Sequence, residues 1–514
     1  MKNPRQAVFH NVQFLFFLVF LFAGSSSAGN EFEDRHHDRG RHHERDRHHN
    51  HEGDGINQPK FANPPEESSI GGVLDAELIV NRNEKVIAGR KVLLRSYNGL
   101  YIPQTLRVNP GDTLYLRLIN ELSDDLLEQT NLHTHGWNVS PQPGSDDIFM
   151  QVQAGGQFNY SISVPANHPQ GLYWYHPHGH LPQLNPDAPT KGNTEFQIMS
   201  GMSGGLIVNG ILDPFPELKG IQEQILLLKD IQITDEGTIP LQIDSNAGTT
   251  RMVNGLVNPR MDIRPGELQF WRVGNIGPDI YYKLTLDRHE FFQIARDGNR
   301  QNRIWRRQEI LLPPSSRVEF FVRGEKPGIY TLRTQALTTG PAGDQYPEAT
   351  LATLVSSGHP DYRLRIPRDL PPVEDFREAQ PIPPGKRRSF VFSEDDDGNS
   401  FFVNEKQFNI NRVDFTVPVG FIEEWTIQNV TKEWHTFHIH QTDFQVVEIN
   451  GVRQEFIGHQ DTVNIPFQTG DVPGEVKVLI DFRDPIIVGK FVAHCHIGAH
   501  EDNGMMAVVE VVNN

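Results

Sequence analysis

The chain carries one strand motif three times, and this repeat restricts its fold more than any other feature. The three copies are VNPGDTLYLRLIN (108–120), IRPGELQFWRVGN (263–275) and VPVGFIEEWTIQN (417–429). Their glycines, Gly111, Gly266 and Gly420, lie 155 and 154 residues apart. After each glycine, apolar and polar residues alternate, which indicates a turn followed by a β-strand with one buried face. A repeat of this period predicts three similar β-sandwich domains of about 150 residues each.

Composition agrees with an all-β protein built from several domains. The chain has 514 residues, too many for one ordinary core, and its 44 Gly, 36 Pro and 31 Phe favour short strands between turns. A net charge of −18 argues against nucleic acid and anionic membrane surfaces as partners. The predicted organisation is a signal peptide (1–28), a His-rich disordered tail (29–66), domain one (67–215), domain two (216–364), a Pro-rich linker (365–388) and domain three (389–514).

The first 66 residues combine a targeting pattern with a polar segment. Two basic residues precede an apolar stretch from Val12 to Ala23 and small residues that end at Ala28, as in a secretory signal peptide. We therefore expect a secreted protein, in the extracellular space, cell wall or periplasm, without a membrane span after signal removal. An uncleaved anchor is the alternative. Residues 29–66 contain RHHDRGRHHERDRHHNHEGD, which predicts a solvated spacer or, alternatively, a metal-capturing tail.

Ten histidines fall in four clusters with a short spacing. The clusters are HTH (His133, His135), HPH (His176, His178), HTFHIH (His435, His438, His440) and HCHIGAH (His494, His496, His500). Residues i and i+2 of a strand point to the same side, so each HxH pair directs two imidazoles into one space. Two clusters lie in the first predicted domain and two in the third. We therefore expect eight imidazoles at an interface between these domains, more than one zinc site uses.

The single cysteine, Cys495, stands between two of these histidines and has no partner for an internal disulfide. Its side chain should point to the opposite side of the strand, so this one strand would serve two metal sites. A thiolate with two histidines and a weak axial ligand makes a blue-copper centre, whereas one cysteine with ten histidines fits no common zinc pattern. The candidate partners of the thiolate are His435, His500 and Met505.

The motifs HTH, HPH, HTFHIH and HCHIGAHEDNGM, in this order, resemble the copper-binding signatures of three-domain multicopper oxidases. That family includes laccases and ascorbate oxidases, and the resemblance extends over roughly residues 71–512. The absence of disulfides and the methionine at the axial position resemble the bacterial-type branch. The resemblance implies three cupredoxin-like Greek-key β-sandwich domains and four bound copper ions.

The resemblance also implies a role for each ligand. His435, Cys495 and His500 would hold the type 1 copper with Met505 as the axial ligand, although Met505, beside Met506, could instead be a packing residue. His133 and His438 would hold the type 2 copper. The two type 3 coppers would be held by His135, His176 and His496, and by His178, His440 and His494.

An enzyme of this kind couples four one-electron oxidations of a donor to the reduction of dioxygen to two waters. Because this reaction consumes protons, carboxylates are expected near the cluster. By resemblance these are Glu501 and Asp146, with Asp147 as an alternative, and with Cys495 they are the expected catalytic residues. A turn or capping role for Asp146 and a surface position for Glu501 are the competing interpretations.

The expected function is a laccase-like oxidase that acts as a monomer on dioxygen and a phenolic or similar donor. A chain with only eight methionines and no Met-rich insert leans away from cuprous ions as the donor. The alternatives are oxidation of cuprous or ferrous ions, and a non-enzymatic copper-binding or detoxification protein. The third repeat disfavours a two-domain protein similar to nitrite reductase.

Overall fold

The computed structural model describes residues 58–123, 128–183, 185–241, 243–244 and 248–513. Within them, three pairs of β-sheets form three sandwiches, and the predicted all-β, cupredoxin-like class is confirmed. No helix in these residues is long and apolar enough to cross a membrane. The predicted signal peptide (1–28) and residues 29–57 lie outside the described part of the chain.

The first sandwich contains nine strands and one helix. These are β1 (Glu66–Ser68), β2 (Val73–Ile87), β3 (Arg90–Tyr97), β4 (Thr105–Val108), β5 (Thr113–Asn120), β6 (His133–His135), β7 (Gln157–Ser163), β8 (Gly171–His176), α1 (Thr194–Ser200) and β9 (Gly204–Val208). One sheet has the order β3-β2-β5-β7 and the other β1-β4-β9-β8-β6. Leu78 and Leu116 of the first sheet and Leu206 of the second are buried in one apolar core.

The second sandwich contains thirteen strands. These are β10 (Gln222–Ile231), β11 (Thr250–Val253), β12 (Arg260–Ile263), β13 (Leu268–Asn275), β14 (Tyr282–Leu286), β15 (Phe291–Arg296), β16 (Asn299–Arg307), β17 (Glu309–Leu312), β18 (Arg317–Arg323), β19 (Gly328–Thr334), β20 (Leu337–Thr338), β21 (Gln345–Tyr346) and β22 (Ala349–Ser356). Its two main sheets have the orders β11-β10-β13-β18-β15-β16 and β12-β22-β19-β14-β17, and β20 pairs with β21.

The third sandwich contains eleven strands and the helices α2 and α3. These are α2 (Phe376–Ala379), β23 (Arg387–Glu394), β24 (Phe401–Val403), β25 (Phe415–Pro418), β26 (Ile422–Asn429), β27 (His435–Ile439), β28 (Phe444–Ile449), β29 (Val452–Arg453), β30 (Thr462–Ile465), β31 (Gly474–Asp481), β32 (Gly489–Cys495), α3 (Gly498–Asp502) and β33 (Met506–Val512). The sheets have the orders β24-β23-β26-β31-β28-β29 and β25-β33-β32-β27-β30. Single 3₁₀ turns span Pro216–Leu218 and Pro485–Ile487.

The three repeated segments occupy equivalent positions in the three sandwiches. Each forms a strand, β5, β13 or β26, that pairs in parallel with the first long strand of its sandwich, β2, β10 or β23. Each pairs on its other edge with an antiparallel strand, β7, β18 or β31. The repeat glycines have φ values of 91°, 76° and 103°, a left-handed conformation that glycine adopts without steric cost.

The prediction of an unpacked tail over residues 29–66 is wrong for residues 58–66. Phe61 is only 9% exposed and belongs to the core of the second sandwich. The backbone of this segment pairs with Arg260 of β12: Phe61 N donates to Arg260 O, and Arg260 N donates to Pro59 O. One aromatic side chain and paired backbone groups therefore anchor a segment that composition alone predicts to be solvated.

The predicted Pro-rich linker is also packed. Phe376 of α2 is 3% exposed and lies against Ile422 and Leu479 of the third sandwich. Strand β23 begins at Arg387, so the last two residues of the predicted linker belong to this strand. The remaining domain boundaries stay predictions.

Strand pairing brings the histidine motifs together in twos. In the first sandwich β6 pairs with β8, so that His133 is opposite His176. In the third sandwich β27 pairs with β32, so that His438 is opposite His494. The end of each sheet therefore presents two motifs on neighbouring strands.

Candidate metal centres

The cysteine and two histidines form a small buried triangle. Cys495 Sγ lies 3.6 Å from His435 Nδ1 and 3.7 Å from His500 Nδ1, and the two nitrogens are 3.1 Å apart. A triangle with these sides has a centre about 2 Å from all three atoms, close to ordinary metal–nitrogen and metal–sulfur bond lengths. The closeness predicted for these three residues is present, and the donor set matches a blue-copper site.

The outer nitrogens of these two histidines are held by other groups. His435 Nε2 lies 2.9 Å from Thr431 Oγ1, and His500 Nε2 lies 3.2 Å from Glu433 Oε1. Partners of this kind fix the tautomer and leave Nδ1 free to bind a metal. Burial lowers the pKa of His500 to about 3 and also lowers that of His435, so both rings are neutral and able to act as ligands. Burial raises the pKa of the Cys495 thiol, so a bound cation is needed to hold the thiolate.

Met505 is buried in the same apolar core as Cys495, whereas Met506 packs in a separate cluster with Ile148 and Phe408. The backbone of Met505 is tied to the triangle, because Cys495 N donates to Met505 O and Met505 N donates to His500 O. The shared core with Cys495 and these backbone bonds therefore favour Met505 over Met506 as the predicted axial ligand.

The eight remaining histidines of the four motifs gather between the first and third sandwiches, and all are at most 1% exposed. The rings of His133 and His440 stack with centroids 3.8 Å apart, as do those of His135 and His438. Each stacked pair joins one histidine from each sandwich. The predicted interface of eight imidazoles is therefore present, and the described residues of the second sandwich add no histidine to it.

Many ring nitrogens of this cluster are buried without a hydrogen-bond partner among the described residues, which suits a metal-binding site. Seven of the eight histidines have at least one buried nitrogen without a hydrogen-bond partner among the described residues. Orphaned polar atoms at this density are costly in a folded protein unless a ligand satisfies them. Burial lowers the pKa of six of the eight, which keeps the imidazoles neutral. The site therefore fits several cations bound by neutral imidazole.

The two predicted type 2 ligands are held in matching ways. His133 Nδ1 lies 3.0 Å from Asp146 Oδ2, and His438 Nδ1 lies 2.8 Å from the carbonyl oxygen of Asp461. In both rings Nε2 has no hydrogen-bond partner in the part of the chain that the structure describes. Outer oxygens of this kind orient a metal-binding histidine and set its tautomer.

The predicted division of the eight histidines among three metals is only partly visible in the geometry. The donor atoms of His178, His440 and His494 lie within 4.8 Å of one another, which matches one predicted type 3 set. His133 and His438 also fall within one such group, together with His440. The ring of His496 lies 4.9 Å from that of His135 and 5.4 Å from that of His176. The ligand roles of individual residues stay predictions.

Both predicted carboxylates reach the cluster. Glu501 is 1% exposed, so a surface position is excluded, and it lies 3.2 Å from His494 Nδ1 and 3.4 Å from His178 Nε2. Asp146 contacts His133, accepts a hydrogen bond from Thr134 N and accepts another from Gln441 Nε2 at 2.6 Å. Its neighbour Asp147 instead caps the backbone at Phe149, so Asp146 is the better candidate.

Three residues beside the cluster are not among the predicted site residues. Asp461 contacts two ligand histidines, and Arg317 of the second sandwich forms an ion pair with Asp461. His180 is 3% exposed, and its ring lies 5.4 Å from that of His178. Asp461 and Arg317 belong to no spaced motif, so only the folded chain reveals them. His180 continues the spacing of the HPH motif by two residues, and this is the signal that could have found it.

A buried cysteine–histidine triangle, joined by one strand to eight histidines between two β-sandwiches, defines a copper redox protein. Two family models, both described as "Multicopper oxidase", match residues 80–210 and 381–514. The chain belongs to the multicopper oxidase family, and it is therefore an oxidoreductase with copper as its cofactor.

Individual relatives agree with this family. "Multicopper oxidase mco" of Staphylococcus haemolyticus is 26% identical over 434 residues, covering 81% of this chain and 83% of the relative. "Laccase" of Bacillus subtilis is 24% identical over 494 residues, covering 82% and 90%. A solved multicopper oxidase from Campylobacter jejuni, described as a metallo-oxidase, superposes with a TM-score of 0.74 at 24% identity, covering 89% of this chain and 96% of that chain. At this identity the superposition shows a shared fold.

Proposed function

We propose that the protein binds four copper ions, one type 1, one type 2 and two type 3, and oxidises a small donor while reducing dioxygen to water. The observation that carries this proposal is the position of Cys495. Its sulfur belongs to the triangle with His435 and His500, and its backbone continues directly into His494 and His496 of the cluster. Bound copper would supply the one-electron steps and the reduction of dioxygen. The chain supplies a covalent connection of one residue between the two sites.

Protons must reach the cluster, because reduction of one dioxygen to two waters takes up four electrons and four protons. Glu501 lies between His178 and His494, and neither of its oxygens has a hydrogen-bond partner among the described residues. Asp146 lies beside His133. These two carboxylates are positioned to hold or pass protons at the cluster.

We propose a phenolic or similar organic donor, which delivers electrons at His500. The side chain of His500 is 10% exposed and stacks on Phe401 with ring centroids 4.2 Å apart. Cys495, His435 and Met505 are 0% exposed, so among the proposed type 1 ligands His500 is the one that a donor can reach. The laccase relative of Bacillus subtilis supports this class of donor.

One contact favours a metal ion as a second candidate donor. Glu433 lies 3.2 Å from His500 Nε2, and burial together with the neighbouring Glu394 and Asp344 raises the pKa of Glu433 to about 9. A bound metal cation would replace the proton that the Glu433 carboxyl holds beside these two acidic neighbours. The metallo-oxidase from Campylobacter jejuni supports this alternative.

The two donors can be separated with one variant. Copper per chain is measured first, then oxygen uptake with 2,6-dimethoxyphenol, ferrous ion and cuprous ion. If a metal ion is the donor, Glu433→Gln should raise KM for that ion and spare the phenol. If a phenol is the donor, the wild type should turn it over far faster than either ion. The matched control is Glu84→Gln, an exposed position on β2 of the first sandwich. Four bound coppers without oxygen uptake from any donor would instead indicate copper storage or detoxification.

We also propose that the mature protein is a secreted monomer. The charged, apolar and small-residue pattern of residues 1–28 supports secretion. A mature N-terminus other than Gly29, found by mass spectrometry of the exported protein, would reject cleavage after Ala28. Light scattering of the purified protein tests the monomer.

A further inference from the structure

Arg317 is a fully buried arginine at the place where the three sandwiches meet. It begins β18 of the second sandwich and is 0% exposed. Its two terminal nitrogens bind Asp461 of the third sandwich in a bidentate pair, at 2.9 Å to Oδ1 and 2.5 Å to Oδ2. Its Nε donates to the carbonyl of Leu172 in the first sandwich, and its guanidinium lies 5.6 Å from the ring of Tyr173.

The partner of Arg317 touches the histidine cluster directly. The carbonyl oxygen of Asp461 accepts from His438 Nδ1 at 2.8 Å, and its carboxylate Oδ1 lies 3.4 Å from His135 Nε2. Both carboxylate oxygens are already engaged, by Arg317 and, at Oδ1, by Thr462 Oγ1 at 2.8 Å. Asp461 therefore acts as an outer support of the ligands, with its backbone and side chain both fixed.

We propose that Arg317 is a positioning residue for the eight-histidine cluster, and that the second sandwich controls copper binding through it. This inference rests on the copper chemistry proposed above. By holding Asp461, Arg317 keeps the carbonyl that accepts from His438 in place, and this leaves His438 Nε2 directed into the cluster. It also keeps a negative charge beside His135. The second sandwich thus orients one histidine from each of the other two sandwiches.

Lysine cannot replace this arginine. Arg317 donates through all three guanidinium nitrogens, to Asp461, to Leu172 O and to Ser315 O. Lysine keeps the charge but offers a single point donor without the planar fork that grips both oxygens of a carboxylate. Asp461 would then be free to rotate while the local charge stays the same.

The glycine that follows the first motif supports this interpretation. Gly136 has φ of +84°, and a Cβ at this position would lie 2.5 Å from Arg317 Nη2 and closer still to Asp461 Oδ2. The ion pair therefore fills the space beneath the HTH motif. The first, second and third sandwiches each contribute one residue to this contact.

The test compares two Arg→Lys variants in the same sheet. Arg272 of β13 is also buried and forms ion pairs with Glu223 and Glu319. Among the described residues, its ion-pair partners are these two carboxylates and no motif histidine, so it is the matched control. Wild type, Arg317→Lys, Arg272→Lys and Asp461→Asn are loaded with copper. We then measure copper per chain, the type 1 absorbance and the type 2 signal in electron paramagnetic resonance. Two further measurements are the retention of type 2 copper against EDTA and the Tm of each apo-protein.

We expect Arg317→Lys to keep the type 1 absorbance and to lose type 2 copper to EDTA 10- to 100-fold more readily than Arg272→Lys, the usual cost of losing an outer support of a metal ligand. The double variant Arg317→Lys/Asp461→Asn should be no worse than the poorer single variant. Equal copper retention in the two lysine variants, or additive losses in the double variant, would overturn the inference. A wild type that fails to bind four coppers would instead overturn the proposed function.

Discussion

Replacing Gly136 with alanine should destabilise the protein far more than the same change at another glycine with a similar backbone. At φ of +84° an alanine pays about 1–2 kcal/mol for its Cβ alone. The new Cβ would also lie 2.5 Å from Arg317 Nη2 and 3.0 Å from Tyr173 Cδ1, so the buried ion pair must move. Breaking a buried pair costs about 3–5 kcal/mol.

Gly111 provides the matched control. Its φ is +91°, and a Cβ there would have no atom within 4 Å, so Gly111→Ala pays the backbone cost only. The difference between the two variants isolates the displacement of the ion pair, and at this size it should lower Tm on the order of 10 °C more for Gly136→Ala. The assay is thermal unfolding of both apo-proteins followed by circular dichroism.

The comparison has a clear negative outcome. If the two alanine variants melt at the same temperature, the pair of Arg317 and Asp461 shifts without cost and does not hold the interface rigidly. If Gly136→Ala melts lower, its copper retention should fall as well, because the displaced Asp461 carries the contacts to His135 and His438.

Three further outcomes are expected. Cys495→Ser should keep about three of four coppers but lose the blue absorption and donor oxidation, because a hydroxyl is a poor ligand for this soft site; donor oxidation at the parent rate would show that electrons enter elsewhere. Phe61→Ala should reduce the free energy of unfolding by about 3 kcal/mol, whereas deletion of residues 29–57 should leave Tm unchanged; equal Tm for both variants would contradict the packing of residues 58–66. Burial lowers the pKa of eight of the ten motif histidines. The unfolded chain therefore binds more protons below about pH 6.5, and the apo-protein should be fully stable above that pH and lose stability as the pH falls towards 3. A Tm that does not change between pH 7 and pH 5 would contradict this linkage.

The strands and the ligand motifs could be predicted because their signals are local. Alternation after Gly111, Gly266 and Gly420 predicts a half-buried strand from a dozen neighbouring residues, and the structure has β5, β13 and β26 there. The direction of both imidazoles in an HxH pair can be predicted from the pair alone, because residues i and i+2 share a face of a strand. The fold class and the gathering of the four motifs follow from such patterns.

The supports of the cluster could not be predicted, because each depends on a partner far away in the sequence. Arg317 and Asp461 are separated by 144 residues and meet only when the second and third sandwiches pack together. The prediction that residues 58–66 are unpacked is wrong for a different reason. Composition averaged over 29–66 is dominated by charged residues and histidine, and it conceals one phenylalanine, Phe61, that packs in the core of the second sandwich.

The second sandwich carries none of the ten motif histidines, yet its described residues contact the copper-binding region at three places. Tyr281 Oη lies 2.7 Å from Thr436 Oγ1, next to His435. Asp279 Oδ1 accepts from the backbone of Gly498, at the start of the helix that carries His500 and Glu501. Arg317 holds Asp461. Each contact holds a residue that neighbours a motif histidine in sequence or touches one in space. The three residues held in this way lie on different segments of the third sandwich. Metal sites tolerate little displacement of their ligands. The second sandwich therefore holds the residues around both centres in position, and does more than separate the first and third sandwiches.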